Sequence, residues 1–215
     1  MRNLLIKETR LFASILSWLF LAFAFMTLIP GYPILLGSFF VCLGIFQSFQ
    51  TIRENNDILY TVLLPVEKAD AVRAKYIFVC FIEILAWLLM AALTALRMTV
   101  LKDAGPYVSN PLMDANLVYL AYAAVVFALF NVIFLGGFFR TGYKFGKPFV
   151  IFIVVTMLVV VIAEILHHVP GLEFLNGNHA LGVQAAILAA GLVIFVAATL
   201  LSCRRSQRRF EQLDL

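Results

Sequence analysis

The sequence predicts an all-α membrane protein with six transmembrane helices and both termini on the cytoplasmic side. Three observations carry that expectation: composition, the lengths of the apolar runs, and the placement of the basic residues. Of the 215 residues 63% are hydrophobic, 21 are Phe and only 13% are charged, with a mean hydropathy of +1.00. A soluble domain carries roughly 25% charged residues, so this chain has too much apolar surface for one water-soluble core. Lys and Arg then set the orientation. Fourteen fall in the N-terminal segment, 50–75, 140–147 and the tail after 201; two, Arg97 and Lys102, fall in the connections on the other side.

A bilayer core of roughly 30 Å needs about 20 apolar helical residues. Six stretches of 18 to 23 residues qualify: 11–29, 32–49, 76–96, 117–139, 148–166 and 180–201. Together they make 1–215 one transmembrane domain. No strand-like alternation occurs in them, which excludes a β-barrel. The first run has 19 residues. That is long for a signal peptide, and no small-x-small cleavage site follows, so it is expected to remain as an anchor. Pro30–Gly31 links it to the second span as an antiparallel hairpin, with Pro33 at a tolerated first-turn position; the fifth span likewise starts at Pro148.

Ahead of the first span, "RNLLIKETRLF" (2–12) places Leu4, Leu5, Leu11 and Phe12 near one helical face and Asn3, Lys7 and Arg10 near another. Two placements stay open: a helix in the membrane interface, or an extension of the first span into water. On the opposite side, 97–116 contains Gly105, Pro106, Asn110 and Pro111 and reads as an irregular loop. Segment 167–179, "HHVPGLEFLNGNH", is apolar enough to dip toward the membrane, as a short helix or a loop.

The polar residues inside spans define the candidate sites. Glu83 is eighth in the third span and Glu164 third from the outer end of the fifth. An ionisable group at such a depth costs a few kcal/mol and is a functional candidate by default. Glu83 either lines a polar path or pairs with a partner helix, or else is protonated or reaches the interface. Asn131 and Gln184 serve interhelical hydrogen bonds or internal packing. Gly182, Ala186 and Ala190 give the sixth span a small-residue face for close helix approach.

Several chemistries are set aside. "GYKFGKP" (142–148) lacks the Gly at 141 and the Ser or Thr at 148 that a phosphate-binding loop needs, having Thr141 and Pro148. Glu164 and His167 form an E-x-x-H pair, but a carboxylate-bridged metal site requires a second such motif, and His167, His168 and His179 read as surface histidines. Cys42, Cys80 and Cys203 show no zinc or disulfide spacing. No catalytic set is apparent, and the basic clusters beside apolar runs are not a nucleic-acid-binding face.

The most informative stretch is 50–75. Before Pro65, "ENNDILYTVLL" forms a short helix capped at Asn55, Asn56 or Asp57, with Ile58, Leu59, Val62 and Leu63 as its apolar face. Proline stops it. "VEKADAVRAKY" then supplies a second helix that climbs into the third span. An unstructured loop of 26 residues would be unusual in a compact protein.

The same stretch resembles the permease subunits of ABC-2-type transporters. There the pattern runs Arg-Glu, an apolar helix with Leu-Leu, a Pro-Val/Ile-Ser-like break, and Lys at the entry to the third span. The matching positions are Arg53, Glu54, Leu59, Leu63, Pro65, Val66 and Lys75. Asn55 and Asn56 replace a common Gly-Thr pair and Glu67 a common Ser, which fits the small bacterial branch. The resemblance implies a bacterial plasma-membrane exporter built from two permease chains, identical or paralogous, in contact with membrane lipid. Arg53, Glu54, Asp57, Leu59, Leu63, Pro65 and Lys75 would couple it to a separate ATPase subunit that binds ATP and Mg; this chain itself would hold no cofactor. The Phe-rich spans favour a hydrophobic or amphipathic cargo such as a peptide, lipid or drug. The alternatives are an ion-gradient transporter or channel subunit, which would need more intramembrane charge, and a non-transporting scaffold or sensor.

Overall fold

The structure is a computed structural model that describes residues 2–9, 14–54, 63, 66–141, 144–177 and 180–213. Among these residues it is all-helical, without strands. In order come α1 (Arg2–Lys7), α2 (Ile15–Leu28), α3 (Leu36–Glu54), α4 (Lys68–Thr99), a short α5 (Gly105–Val108), α6 (Leu117–Phe138), α7 (Gly146–His168) and α8 (Leu181–Glu211). Four of them, α4, α6, α7 and α8, are long and apolar enough to cross a membrane, while α2 and α3 are shorter apolar helices.

The two shorter helices depart from expectation for identifiable reasons. From Phe20 to Leu28 helix α2 winds as a 3-10 helix, which rises about 2.0 Å per residue against about 1.5 Å in an α-helix. Its residues therefore reach farther than their number suggests. Pro33 does not open α3: the helix begins at Leu36, after a turn in which the Leu36 amide donates to the Pro33 carbonyl at 3.0 Å. Gly31 makes the preceding reversal with φ at 72°, a conformation that favours glycine. At its other end α3 continues to Glu54, so Arg53 and Glu54 form its last turn.

The apolar helices alternate in direction, giving the bundle two distinct ends. The base gathers α1, the starts of α2, α4 and α7, and the ends of α3, α6 and α8. The cap gathers the opposite ends with segments 97–116 and 167–177. α6 is the central helix, and its pairing with α8 is the most extensive in the fold. That approach depends on Gly191, where an added Cβ would lie 3.0 Å from Ala121. Phenylalanines fill the space between α3, α6 and α7: Phe46 stacks on Phe149 with centroids 3.7 Å apart, and Phe49 meets Phe134 and Phe138 edge-on. The outward faces of α7 and α8 expose Val154, Leu158, Val161, Val193, Val196 and Leu200, as a lipid-facing surface requires.

The cap is more ordered than an irregular loop. Segment 97–116 contains α5, whose Tyr107 hydroxyl donates to the Leu28 carbonyl at 2.9 Å. Asn116 caps α6 by accepting from the Val118 and Tyr119 amides, and its Nδ2 donates to the Leu175 carbonyl. Segment 167–177 includes a single 3-10 turn, Glu173–Leu175. Gln184 Nε2 ties it to α8 by donating to the Phe174 and Gly177 carbonyls at 3.1 and 3.0 Å.

Candidate functional site

Helix α4 organises the site because it is uninterrupted from Lys68 to Thr99, about 48 Å at 1.5 Å per residue. It is longer than a bilayer core is thick. Two elements hold its base end. α1 packs alongside, and Lys75 Nζ lies 2.9 Å from Glu8 Oε2, both side chains nearly fully buried. On another side the C-terminal part of α8 approaches. Gln207 Nε2 donates to the Ala69 carbonyl at 3.2 Å, and Lys68 Nζ donates to the Leu213 carbonyl at 2.6 Å.

Above the base a seam of polar groups runs between α4, α6 and α8. The Tyr76 hydroxyl bonds to the Ser202 and Ser206 hydroxyls at 2.8 and 2.9 Å. Ser202 Oγ donates onward to the Asn131 carbonyl at 2.7 Å. Asn131 sits in a π-helical turn, Phe130–Leu135; widened turns of this kind present backbone carbonyls that a regular helix keeps in its own ladder. Its Nδ2 donates to Glu83 Oε2 at 2.8 Å and to Thr199 Oγ1 at 3.0 Å. Gly136, one turn along, allows the closeness of α8: a Cβ there would lie 3.2 Å from Ser202 Oγ. Glu83 and Asn131 are wholly buried, yet Glu83 Oε1 and Asn131 Oδ1 have no hydrogen-bond partner among the described residues. Beside the seam an apolar groove of about 250 Å³ runs between the same three helices, with Glu83, Trp87, Phe127 and Phe195 among its walls.

The other residues picked out from sequence fall elsewhere. Leu63 is 81% exposed, while Asp57, Leu59 and Pro65 lie outside the described residues. Gly182, Ala186 and Ala190 stand on the exposed face of α8, and an added Cβ at Gly182 would meet nothing within 4 Å. Close packing of α8 within the chain runs instead through Gly191. Glu164 holds the cap together: its Oε2 accepts from the Met113 amide at 3.0 Å. Asn176 Nδ2 donates to the His167 carbonyl. Among the described residues no group of three His, Cys, Asp or Glu gathers as metal ligands would.

Five participants were not anticipated from sequence: Glu8, Tyr76, Thr199, Ser202 and Ser206. The last three share one face of α8 with Gln184 and Gly191, a signal readable as polar residues recurring at helical spacing in an apolar run. Glu8 carries no such mark.

A family profile described as ABC-2 family transporter protein matches residues 3–208. The chain belongs to the ABC-2 transporter family. No curated protein and no solved structure matches it. In this ABC-2 membrane protein the matched region takes in α1, the whole of α4 and the polar seam. Its polar seam brings hydroxyls, an amide and a carboxylate together between three helices beside an apolar groove.

Proposed function

We propose that this ABC-2 membrane protein is the non-enzymatic permease subunit of an ATP-driven exporter in the bacterial plasma membrane. In this reading the base faces the cytoplasm, as the fourteen Lys and Arg on that side favour. Segment 50–75 docks on a separate ATPase subunit that binds ATP and Mg, and two permease chains, identical or paralogous, enclose the pathway. The supporting observation is the continuity of α4, which begins three residues after Pro65 and carries Glu83 into the buried seam without a break. A displacement of the docking segment is then transmitted to the seam by a rigid helix. The groove beside the seam suits a hydrophobic or amphipathic cargo.

Purification of the chain with its neighbouring gene products tests this. The expected result is an ATPase that co-elutes, and whose hydrolysis depends on the permease. Changing Leu59 and Leu63 together to Asp is expected to abolish both association and transport, because two charges would enter an apolar docking face. Transport by the native chain without any ATPase would refute the reading. Intact coupling in the double variant would instead move the docking helix elsewhere.

A further inference from the structure

The buried or bonded cations at the base have partners in the fold: Lys75 has Glu8, and Lys68 has the Leu213 carbonyl. The four arginines near the end of α8 differ. Arg204, Arg205, Arg208 and Arg209 are all exposed, and none makes an ion pair among the described residues. Arg204 with Arg208, and Arg205 with Arg209, are each four residues apart and share a face. The buried residues of the same turns, Ser202, Ser206 and Phe210, point away from them toward α4 and Phe139. Four like charges within two turns repel one another, so the helix presents them at a cost that a counter-anion would offset.

Their height identifies the anion. The apolar run of α8 ends at Leu201, so Arg204 lies about 4.5 Å beyond it on helical rise. A headgroup layer is roughly 5–8 Å thick on each side of the hydrocarbon, which puts the first arginine pair within it; the second pair, about 10–12 Å beyond Leu201, lies outside the layer and reaches back to it through the length of the arginine side chains. A guanidinium binds a phosphate with two parallel N–H donors. We propose that this face of α8 binds the phosphate groups of anionic phospholipid at the membrane surface from which the helix emerges. Because Ser206 and Gln207 bond to Tyr76 and to the Ala69 carbonyl, lipid held there also braces the base of α4. The inference does not depend on cargo or on an ATPase.

The test uses the full chain, titrated with phosphatidylglycerol or with phosphatidylcholine and read by native mass spectrometry. Variants R204Q/R205Q and R208Q/R209Q each leave twelve of the fourteen orienting cations in place. Phosphatidylglycerol is expected to bind the native chain in preference to phosphatidylcholine and in a salt-sensitive manner, and each pair change to weaken it by roughly tenfold. Replacement of all four by Lys should retain more affinity than replacement by Gln. Thermal unfolding of each variant in phosphatidylcholine nanodiscs, expected to match the native chain, checks that it folds. Equal binding of the two lipids, or phosphatidylglycerol affinity unchanged in both pair variants, overturns the proposal. Unchanged lipid affinity with lost ATPase co-purification would assign the face to a protein partner instead.

Discussion

The two ends of α4 are each held by a buried cation, but against different parts of the molecule. At the cap, Arg97 Nη1 donates to the Thr27 carbonyl at 2.9 Å, Nη2 lies 3.9 Å from Asp114, and the guanidinium sits 4.4 Å from the Tyr107 ring centroid. Those partners belong to α2 and the 97–116 segment, which are themselves bonded to each other through Tyr107 and Leu28 and through Asn110 and Gly31. At the base, Lys75 meets Glu8, and Lys68 and Ala69 meet the C-terminal part of α8. The cap therefore fastens α4 to α2 and the 97–116 segment, whereas the base fastens it to the segment that carries α1 and to the C-terminal part of α8. Under the proposed function, an input arriving through segment 50–75 would displace the base end and pivot on the cap end.

The largest expected effect comes from breaking the base contact. Lys75→Met takes away the closer of the two cations at the buried Glu8 and leaves Lys7 at 3.8 Å; a buried pair that loses one partner costs about 3–5 kcal/mol, and the remaining contact with Lys7 places the effect toward the lower end. Thermal unfolding in nanodiscs should show it, and proteolysis should cut α1 free of α4. The exchange E8K/K75E should recover a large part of the loss; a cycle with no coupling would mean that α1 is held by packing alone. Arg97→Met should cost less, about 2–3 kcal/mol, because Asp114 is partly exposed and only one hydrogen bond is fully buried. Next is the seam: Asn131→Leu removes the donor to Glu83 and Thr199 and should destabilise by about 1–3 kcal/mol, while Glu83→Gln keeps an acceptor for Asn131 and should cost less. The smallest pair separates the two faces of α8. Gly191→Ala places a Cβ 3.0 Å from Ala121 and should cost about 1–3 kcal/mol by overpacking. Gly182→Ala meets open space and should stay within about 0.5 kcal/mol in the isolated chain.

Legibility from sequence followed what each feature depends on. Helix positions depend on runs of apolar residues, so α4, α6, α7 and α8 fall close to where hydropathy places them. The 3-10 winding of α2, along the part that packs on α3 and α4, has no counterpart in composition. Glu83 and Asn131 each stand out as polar residues in apolar runs, but their separation of 48 residues says nothing of their 2.8 Å contact. The small residues of α8 show how packing within the chain is chosen among several candidate faces. An Ala-rich helix offers several small faces, and only the position of α6 decides that Gly191 meets a neighbour while Gly182, Ala186 and Ala190 do not. Glu8 sits in a segment for which the sequence leaves two placements open, the membrane interface or an extension of the first span into water, and it becomes buried only when α1 lies against α4.

The proposed function has as its central claim that α4 moves as one rod, fixed at the cap and displaced at the base. Spin labels at the exposed positions Arg73 and Val100, in a chain lacking Cys42, Cys80 and Cys203, report on the rod itself, about 40 Å end to end. A second pair, Arg73 with the exposed Ile15, reports on the base. During ATP turnover by the assembled transporter, the account predicts an unchanged distance for Arg73–Val100 and a shift for Arg73–Ile15. A change within Arg73–Val100, or no change in either pair, would contradict it.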